Sequence, residues 1–190
     1  MQIVNEIIYY IFPLLFAGLI HHLVIIQYNW FAFISKPIDG SRYFRGNPLL
    51  GESKTWRGLL AVPILSSFGS LAISRLMPIA TVLPPLLVGF LLGLGYALAE
   101  LPNSFIKRRF GIQPGGKANN KLRSLFLTLD QIDSVLGAIL VVSLIERKGF
   151  ILYLSMFIIG SLLHLAADLY LRRYGYKQFK KISITRPDQP

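Results

Sequence analysis

SLFLTLDQIDSVLGAIL, residues 124–140, is an apolar helix fit for a lipid bilayer except at Asp130 and Asp133. An unpaired charge in such a segment costs several kcal/mol or neutralises itself. Spacing of three places both carboxylates on one helical face, where they repel unless a cation stands between them. The same pattern of long apolar runs extends through the chain. Residues 7–34, 58–74, 76–99 and 149–167 carry no Asp, Glu, Lys or Arg, and 129–145 carries only the two aspartates. Roughly 20 helical residues cross the hydrocarbon core, so these runs predict an all-α integral membrane protein with five transmembrane helices. The fourth span is long enough only if it begins near Ser124, which sets the aspartates inside it or at its lip. Pro13, Pro63, Pro84 and Pro85 fall within the runs and are expected as kinks.

Composition agrees. Of 190 residues, 53% are hydrophobic and 15% charged, too apolar for a soluble domain of this length. The formal net charge of +11 would suggest nucleic acid in a soluble chain. Here the basic residues lie between spans, so they read as topogenic and no nucleic-acid partner is expected. The 35–57 loop holds Lys36, Arg42, Arg45, Lys54 and Arg57. The 102–128 loop holds Lys107, Arg108, Arg109, Lys117, Lys121 and Arg123, and the tail from 170 holds more. Alternating spans leave only Arg75, Arg147 and Lys148 on the other side. The positive-inside rule then predicts an outside N-terminus and a cytoplasmic C-terminus in the plasma membrane. The first run lacks a basic leading region and is too long for a signal-peptide core, so it is expected to remain as a span. One polytopic domain over 1–190, with two sizeable basic cytoplasmic loops and a cytoplasmic tail of about 170–190, is the expected organisation. The absence of cysteine excludes disulfides, thiolate catalysis and Cys-ligated zinc.

Most acids fall on the same predicted side: Asp39, Glu52, Glu100, Asp130, Asp133, Asp168 and Asp188, with only Glu6 and Glu146 opposite. Acids obey the positive-inside rule weakly, so this clustering points to a charged site built by both loops and the adjoining end of the fourth helix. In GESKTWRG, residues 51–58, Lys54 and Arg57 can neutralise phosphate, and Trp56 can stack a base or anchor the interface. In LPNSFIKRRFGIQPGG, residues 101–116, Lys107, Arg108 and Arg109 form a basic cluster, which suits lipid headgroups or a phosphate clamp. Asn103 and Ser104 add neutral donors, and Pro114-Gly115-Gly116 reads as a turn. Asp130 and Asp133 offer the hard oxygen ligands that Mg2+ takes, one or two carboxylates completed by substrate phosphates; a salt bridge to a loop arginine is the structural alternative. His21, His22, His164 and Asp168 make no recognisable metal motif.

SFIKR (104–108), the PGG turn (114–116) and LDQIDS (129–134) resemble the signature of CTP-dependent phosphatidate cytidylyltransferases. With GESKTWRG and the five-span layout they are closer still to the archaeal branch, the CDP-archaeol synthases, which show a KTWRG loop and an LDQxD segment. The likeness covers 36–58 and 100–140. Ile112-Gln113 stands where the phosphatidate branch has Lys-Asp, Pro114 replaces its His before Gly-Gly, and Gln131 replaces its arginine; all three favour the archaeal branch. The resemblance implies an enzyme that joins CTP to a membrane lipid phosphate of the archaetidic-acid type, a geranylgeranyl-ether glycerol phosphate, giving a CDP-lipid and pyrophosphate. It implies Mg2+ held by Asp130 and Asp133, with Lys54 and Lys107 catalytic beside them. Thr55, Trp56, Arg57, Asn103, Ser104, Arg108 and Arg109 would bind CTP or the lipid phosphate. The alternatives are a phosphatidate cytidylyltransferase making CDP-diacylglycerol and a non-enzymatic membrane transporter. A CDP-alcohol phosphotransferase fits poorly, because Ser134 follows the second aspartate where that family has glycine.

Overall fold

A computed structural model describes residues 2–113 and 122–173. The PGG turn, Lys117, Lys121 and the tail beyond 173 lie outside them. The architecture is nearly all helical. Among the described residues, five helices are long and apolar enough to cross a membrane. Helix α1 (Gln2–Ile20) continues as a π-helical segment, His21–Ile26; α2 is Trp56–Leu76, α3 Pro85–Arg109, α4 Arg123–Ile145 and α5 Phe150–Arg173. Each helix packs on the next in the chain, and α5 returns to α1, so the bundle closes into a ring; α1 also touches α3.

The apolar runs mark the spans, but two of their edges move. The run 76–99 is not one helix. Met77 donates its N–H to the Ile73 carbonyl to end α2, and 78–84 is non-helical. Pro84 and Pro85 start α3 rather than kink it: Pro84 is the N-cap and Pro85 the first helical residue, where a missing N–H costs nothing. The first run likewise stops as regular helix at Ile26. Left-handed Asn29 (φ 52°) and Phe31 (φ 56°) turn the chain aside before a short 3-10 turn, Ala32–Ile34. Pro13, Pro63 and Pro102 lie inside helices. Helix α4 does begin early enough to take in Ser124, while α3 extends to Arg109, so Asn103, Ser104 and the basic cluster are helical rather than in a loop.

Glycines set the helix separations. A Cβ on Gly89 would sit 2.3 Å from the Ser66 carbonyl oxygen, and one on Gly93 2.7 Å from Pro63 Cα, which locks α2 on α3. A Cβ on Gly137 would sit 2.2 Å from the Gly95 carbonyl oxygen, which does the same for α3 and α4. Small residues at such crossings let backbones approach where lipid supplies no hydrophobic drive. Large side chains point outward instead: Leu144, Phe150, Ile151 and Leu162 are exposed, as lipid-facing residues are.

The apolar core lies at the end of the bundle where α1, α3 and α5 begin. It contains Tyr9, Tyr10, Ile73, Val88, Leu92, Val142 and Met156. An ionic knot closes that end. Lys148 Nζ lies 3.1 Å from Glu6 Oε1 and 3.0 Å from Glu146 Oε2, and the Tyr10 hydroxyl donates to Glu146 Oε2 at 2.8 Å. Burial disfavours the Lys148 ammonium, but its bonds to Glu146 and Glu6 outweigh this and raise its pKa.

At the other end, residues 35–55 form an ordered arm. Its short hairpin pairs β1 (Tyr43–Phe44) with β2 (Asn47–Pro48). Arg45 (φ 51°) and Gly46 (φ 77°) supply the two positive-φ positions of a tight I′ turn. Thr55 caps α2, its Oγ1 accepting from the Gly58 N–H at 3.3 Å.

Candidate active site

Helix α3 presents Tyr96, Glu100, Asn103 and Lys107 at spacings of four, three and four, which is a single face. Helix α4 answers with Asp130, Asp133 and Ser134, just beyond the Gly95–Gly137 crossing that brings the backbones together. The Asn103 amide donates to both aspartates, at 2.8 Å to Asp130 Oδ1 and 2.7 Å to Asp133 Oδ2. Lys107 pairs with Asp130. The Ser134 hydroxyl lies 3.0 Å from both Asp133 Oδ1 and Glu100 Oε1, and Glu100 pairs with Lys54 from the arm. One chain of contacts therefore runs Lys107–Asp130–Asn103–Asp133–Ser134–Glu100–Lys54.

Among the described residues this string of contacts is short of ammonium partners. Three carboxylates there face two ammonium groups. The Ser134 hydroxyl has one proton and lies between two carboxylates, so it satisfies only one of them. Among the described residues, the buried Asn103 Oδ1 has no hydrogen-bond partner. Turning that amide over would aim its oxygen between the aspartates, an arrangement that only a cation there would stabilise. The donor set is all hard oxygen, as Mg2+ requires. Among the described residues no three His, Cys, Asp or Glu side chains converge on one point. The cluster therefore suits a cation held by two carboxylates and finished by substrate or water oxygens, rather than a closed protein cage.

The arginines hold the segments around the cluster. Arg57, buried, donates from Nη1 to Asn29 Oδ1 at 2.9 Å and to the Trp30 carbonyl at 3.3 Å. Arg108, also buried, donates from Nε to the Leu50 carbonyl at 3.0 Å and from Nη1 to the Ile112 carbonyl. Arg109 holds the hairpin through the Phe44, Asn47 and Pro48 carbonyls and lies over the Phe44 and Phe105 rings. Loop carbonyls at a membrane surface need donors, and a guanidinium satisfies several at once. Of the expected site residues, Lys54, Asn103, Lys107, Asp130 and Asp133 come together. Arg57, Arg108 and Arg109 clamp the segments around them, and Thr55 caps a helix. Trp56 is exposed at the start of α2, and Ser104 is buried on α3. Ser134 is a member that sequence reasoning missed, and Glu100 was counted there only among the clustered acids; the shared α3 face of Glu100, Asn103 and Lys107 was the available signal for its place.

Asp39 fixes the arm that delivers Lys54. Its Oδ2 accepts from the Leu50 and Gly51 N–H groups at 2.8 and 3.0 Å, and Oδ1 accepts from Ser41 N–H at 3.0 Å. Burial pushes its pKa up, but the backbone donors outweigh that and lower it. Its hold on the arm is therefore complete above the unfolded carboxylate pKa of roughly 3.9 and is lost as pH falls through the depressed folded value. Asp39→Ala should reduce hydrogen-exchange protection at the Leu50 and Gly51 amides roughly tenfold or more, since a bond to a charged acceptor contributes about 1.5–3 kcal/mol. Unchanged protection would show that the arm is held elsewhere. Beside Asp39 lies a polar cavity of about 300 Å3, bounded by Ser41, Tyr43, Gly51, Glu52 and Gln113.

His164 adjoins the cluster. Its Nδ1 lies 3.4 Å from the Gln131 carbonyl, so it donates there, and Nε2 accepts from the Tyr96 hydroxyl at 3.1 Å. His22 pairs through Nδ1 with the Gly18 carbonyl at 3.0 Å.

Comparison with known proteins agrees with this picture. Residues 1–180 match the CarS-like CDP-archaeol synthase family. A CDP-archaeol synthase of Thermococcus gammatolerans is 31% identical over 75% of this chain and 80% of its own. One from Sulfolobus acidocaldarius is 34% identical over 67% of this chain and 73% of its own. One from Hyperthermus butylicus is 41% identical over 55% of this chain and 56% of its own. A solved intramembrane enzyme for archaeal membrane lipids biosynthesis superposes with a TM-score of 0.65, at 27% identity, covering 86% of this chain and 93% of that one. A five-span bundle with an acid–lysine cluster between its third and fourth helices, matched over nearly its whole length, belongs to the CDP-archaeol synthase family and is an integral membrane nucleotidyltransferase.

Proposed function

We propose that this chain transfers the cytidylyl group of CTP to a membrane lipid phosphate of the archaetidic-acid type, releasing pyrophosphate, with its site on the cytoplasmic face of the plasma membrane. The observation that carries the reading is the contact chain from Lys54 to Lys107 through Asp130 and Asp133. An oxygen of the lipid phosphate attacks the α-phosphorus of CTP, and the bond from that phosphorus to the β-phosphate oxygen breaks. The attacking monoester is largely dianionic near neutral pH, its second pKa being about 6, so no general base is needed. The requirement is charge neutralisation and in-line alignment. Asp130 and Asp133, with Asn103, would hold Mg2+, which supplies neutralisation and orientation of the CTP phosphates. Lys54 and Lys107 lie at opposite ends of the chain, suited to anions on either side of the reacting phosphorus. Exchanging a carboxylate partner for phosphate oxygen frees each lysine for that role. Arg57, Arg108 and Arg109 hold the surrounding segments, and the polar cavity beside Glu52 is suited to the nucleoside.

The reading is tested by mixing purified enzyme, labelled CTP and Mg2+ with ether-linked or ester-linked lipid phosphate. Pyrophosphate should appear only when lipid phosphate is present, faster with the ether lipid, and should cease on chelation of divalent cations. Preference for the ester lipid would favour the phosphatidate reading. Indifference to CTP would favour a transporter.

A further inference from the structure

Helices α1, α4 and α5 enclose a cavity of about 90 Å3 that the chemistry above does not use. Ala138 and Met156 line its depths, and Gly18 and Gly160 its walls. Its polar end carries His22, His164 and the buried Asp168. That end lies level with the acid cluster, because His164 touches the Gln131 carbonyl, between Asp130 and Asp133 in the chain. Tyr96, which also lines the cavity, stands one turn before Glu100. The cavity thus starts beside the site and runs into the apolar half of the bundle.

Gly18 says what the space is for. At Gly69, Gly89, Gly93, Gly95 and Gly137 an added Cβ would strike a neighbouring helix, so helix packing explains those glycines. At Gly18 an added Cβ meets no atom of the described residues within 4 Å. A mid-helix glycine costs about 1 kcal/mol relative to alanine, yet this one brings no helix closer. Its bond to His22 uses a backbone carbonyl that any residue has. The room it leaves opens on the cavity, next to exposed Leu19 and thus toward lipid.

We infer that this cavity receives a stretch of one hydrocarbon chain of the lipid phosphate, entering sideways from the bilayer past Gly18. The inference rests on the proposed lipid-phosphate substrate. Whole small-molecule ligands take roughly 300–1,000 Å3, so the space suits part of a chain, the remainder staying in the membrane. Seating that chain fixes the depth of the headgroup and sets its phosphate beside the acid cluster. It makes Gly18 a positioning residue for the lipid substrate.

The test uses the full-length enzyme in mixed micelles. Gly18→Leu fills the cavity, and Gly18→Ala fills less of it; neither meets protein at Cβ, and both favour helix. Gly18→Leu should raise KM for a long-chain isoprenoid ether phosphate at least tenfold, with Gly18→Ala intermediate. CTP affinity measured by calorimetry should stay within twofold, and the melting temperature should hold or rise. A long-chain lipid phosphate bearing a diazirine within its chain should crosslink to α1 and α5 in the wild type and lose that crosslink in Gly18→Leu. An unchanged KM, an equal loss of CTP affinity, or crosslinks confined to α2 would overturn the inference while leaving the proposed reaction standing. Failure of the wild type to transfer cytidylyl to any lipid phosphate would overturn both.

Discussion

Asp133→Asn should lower cytidylyl transfer by at least about 100-fold while the protein stays folded, the scale of loss when one preorganised electrostatic group is removed from a site. The substitution keeps the shape of the side chain and removes its charge. Asp133 lies 2.7 Å from the Asn103 amide and 3.0 Å from the Ser134 hydroxyl, which also faces Glu100. Removing its charge relieves repulsion from Asp130 and Glu100, so the resting fold should be no less stable than the wild type. It also removes half of the carboxylate pair that would hold a cation. The expected signature is therefore a melting temperature equal to or above wild type, with labelled CTP no longer incorporated into lipid. Loss of activity together with lowered stability would mean that Asp133 is a structural partner of Asn103. Wild-type incorporation would remove Asp133 from the chemistry altogether.

Gly137→Ala should be nearly as damaging, for a reason that involves no ligand. Its new Cβ would stand 2.2 Å from the Gly95 carbonyl oxygen and 2.5 Å from Ala99 Cβ. The first contact is backbone, so no side chain can swing away. Helices α3 and α4 must part by roughly 1 Å to restore ordinary contact. Overpacking of this kind costs about 1–3 kcal/mol, partly offset by the better helix propensity of alanine, about 1 kcal/mol. The larger effect falls on the site. Glu100, Asn103 and Lys107 sit on α3, while Asp130, Asp133 and Ser134 sit on α4. A misplacement of about 1 Å can lower a rate about 100-fold. Thermal unfolding in detergent should show a modest loss and turnover a large one. Equal, small effects on both would show that the crossing does not set the site geometry.

The spans were legible because bilayer thickness dictates run length, and the two aspartates stood out because lipid makes a charge conspicuous. Other features were hidden for physical reasons. Hydropathy runs unbroken through 76–84, but Pro84 and Pro85 begin a helix there instead of bending one. The charge of Arg57, Arg108 and Arg109 is visible in sequence, but the groups they hold in the fold are not. Those groups are the Trp30, Leu50, Ile112 and Pro48 carbonyls, which no residue code reports. Glu100 is a single acid outside either motif, and only the α3 face it shares with Asn103 and Lys107 brings it to Asp133 through Ser134. The cavity at Gly18 depends on α5 closing the ring against α1, a pairing set by tertiary packing.

The most direct test of the central claim is an anomalous-scattering map of crystals grown with CTP and Mn2+ in place of Mg2+. The account predicts a metal peak in contact with Asp130 and Asp133, at the roughly 2.0–2.2 Å typical of small hard cations on oxygen, with a CTP phosphate oxygen on its open side and Lys54 released from Glu100. A CTP-bound enzyme whose metal lies away from both aspartates, with Asn103 still bridging them, would contradict it.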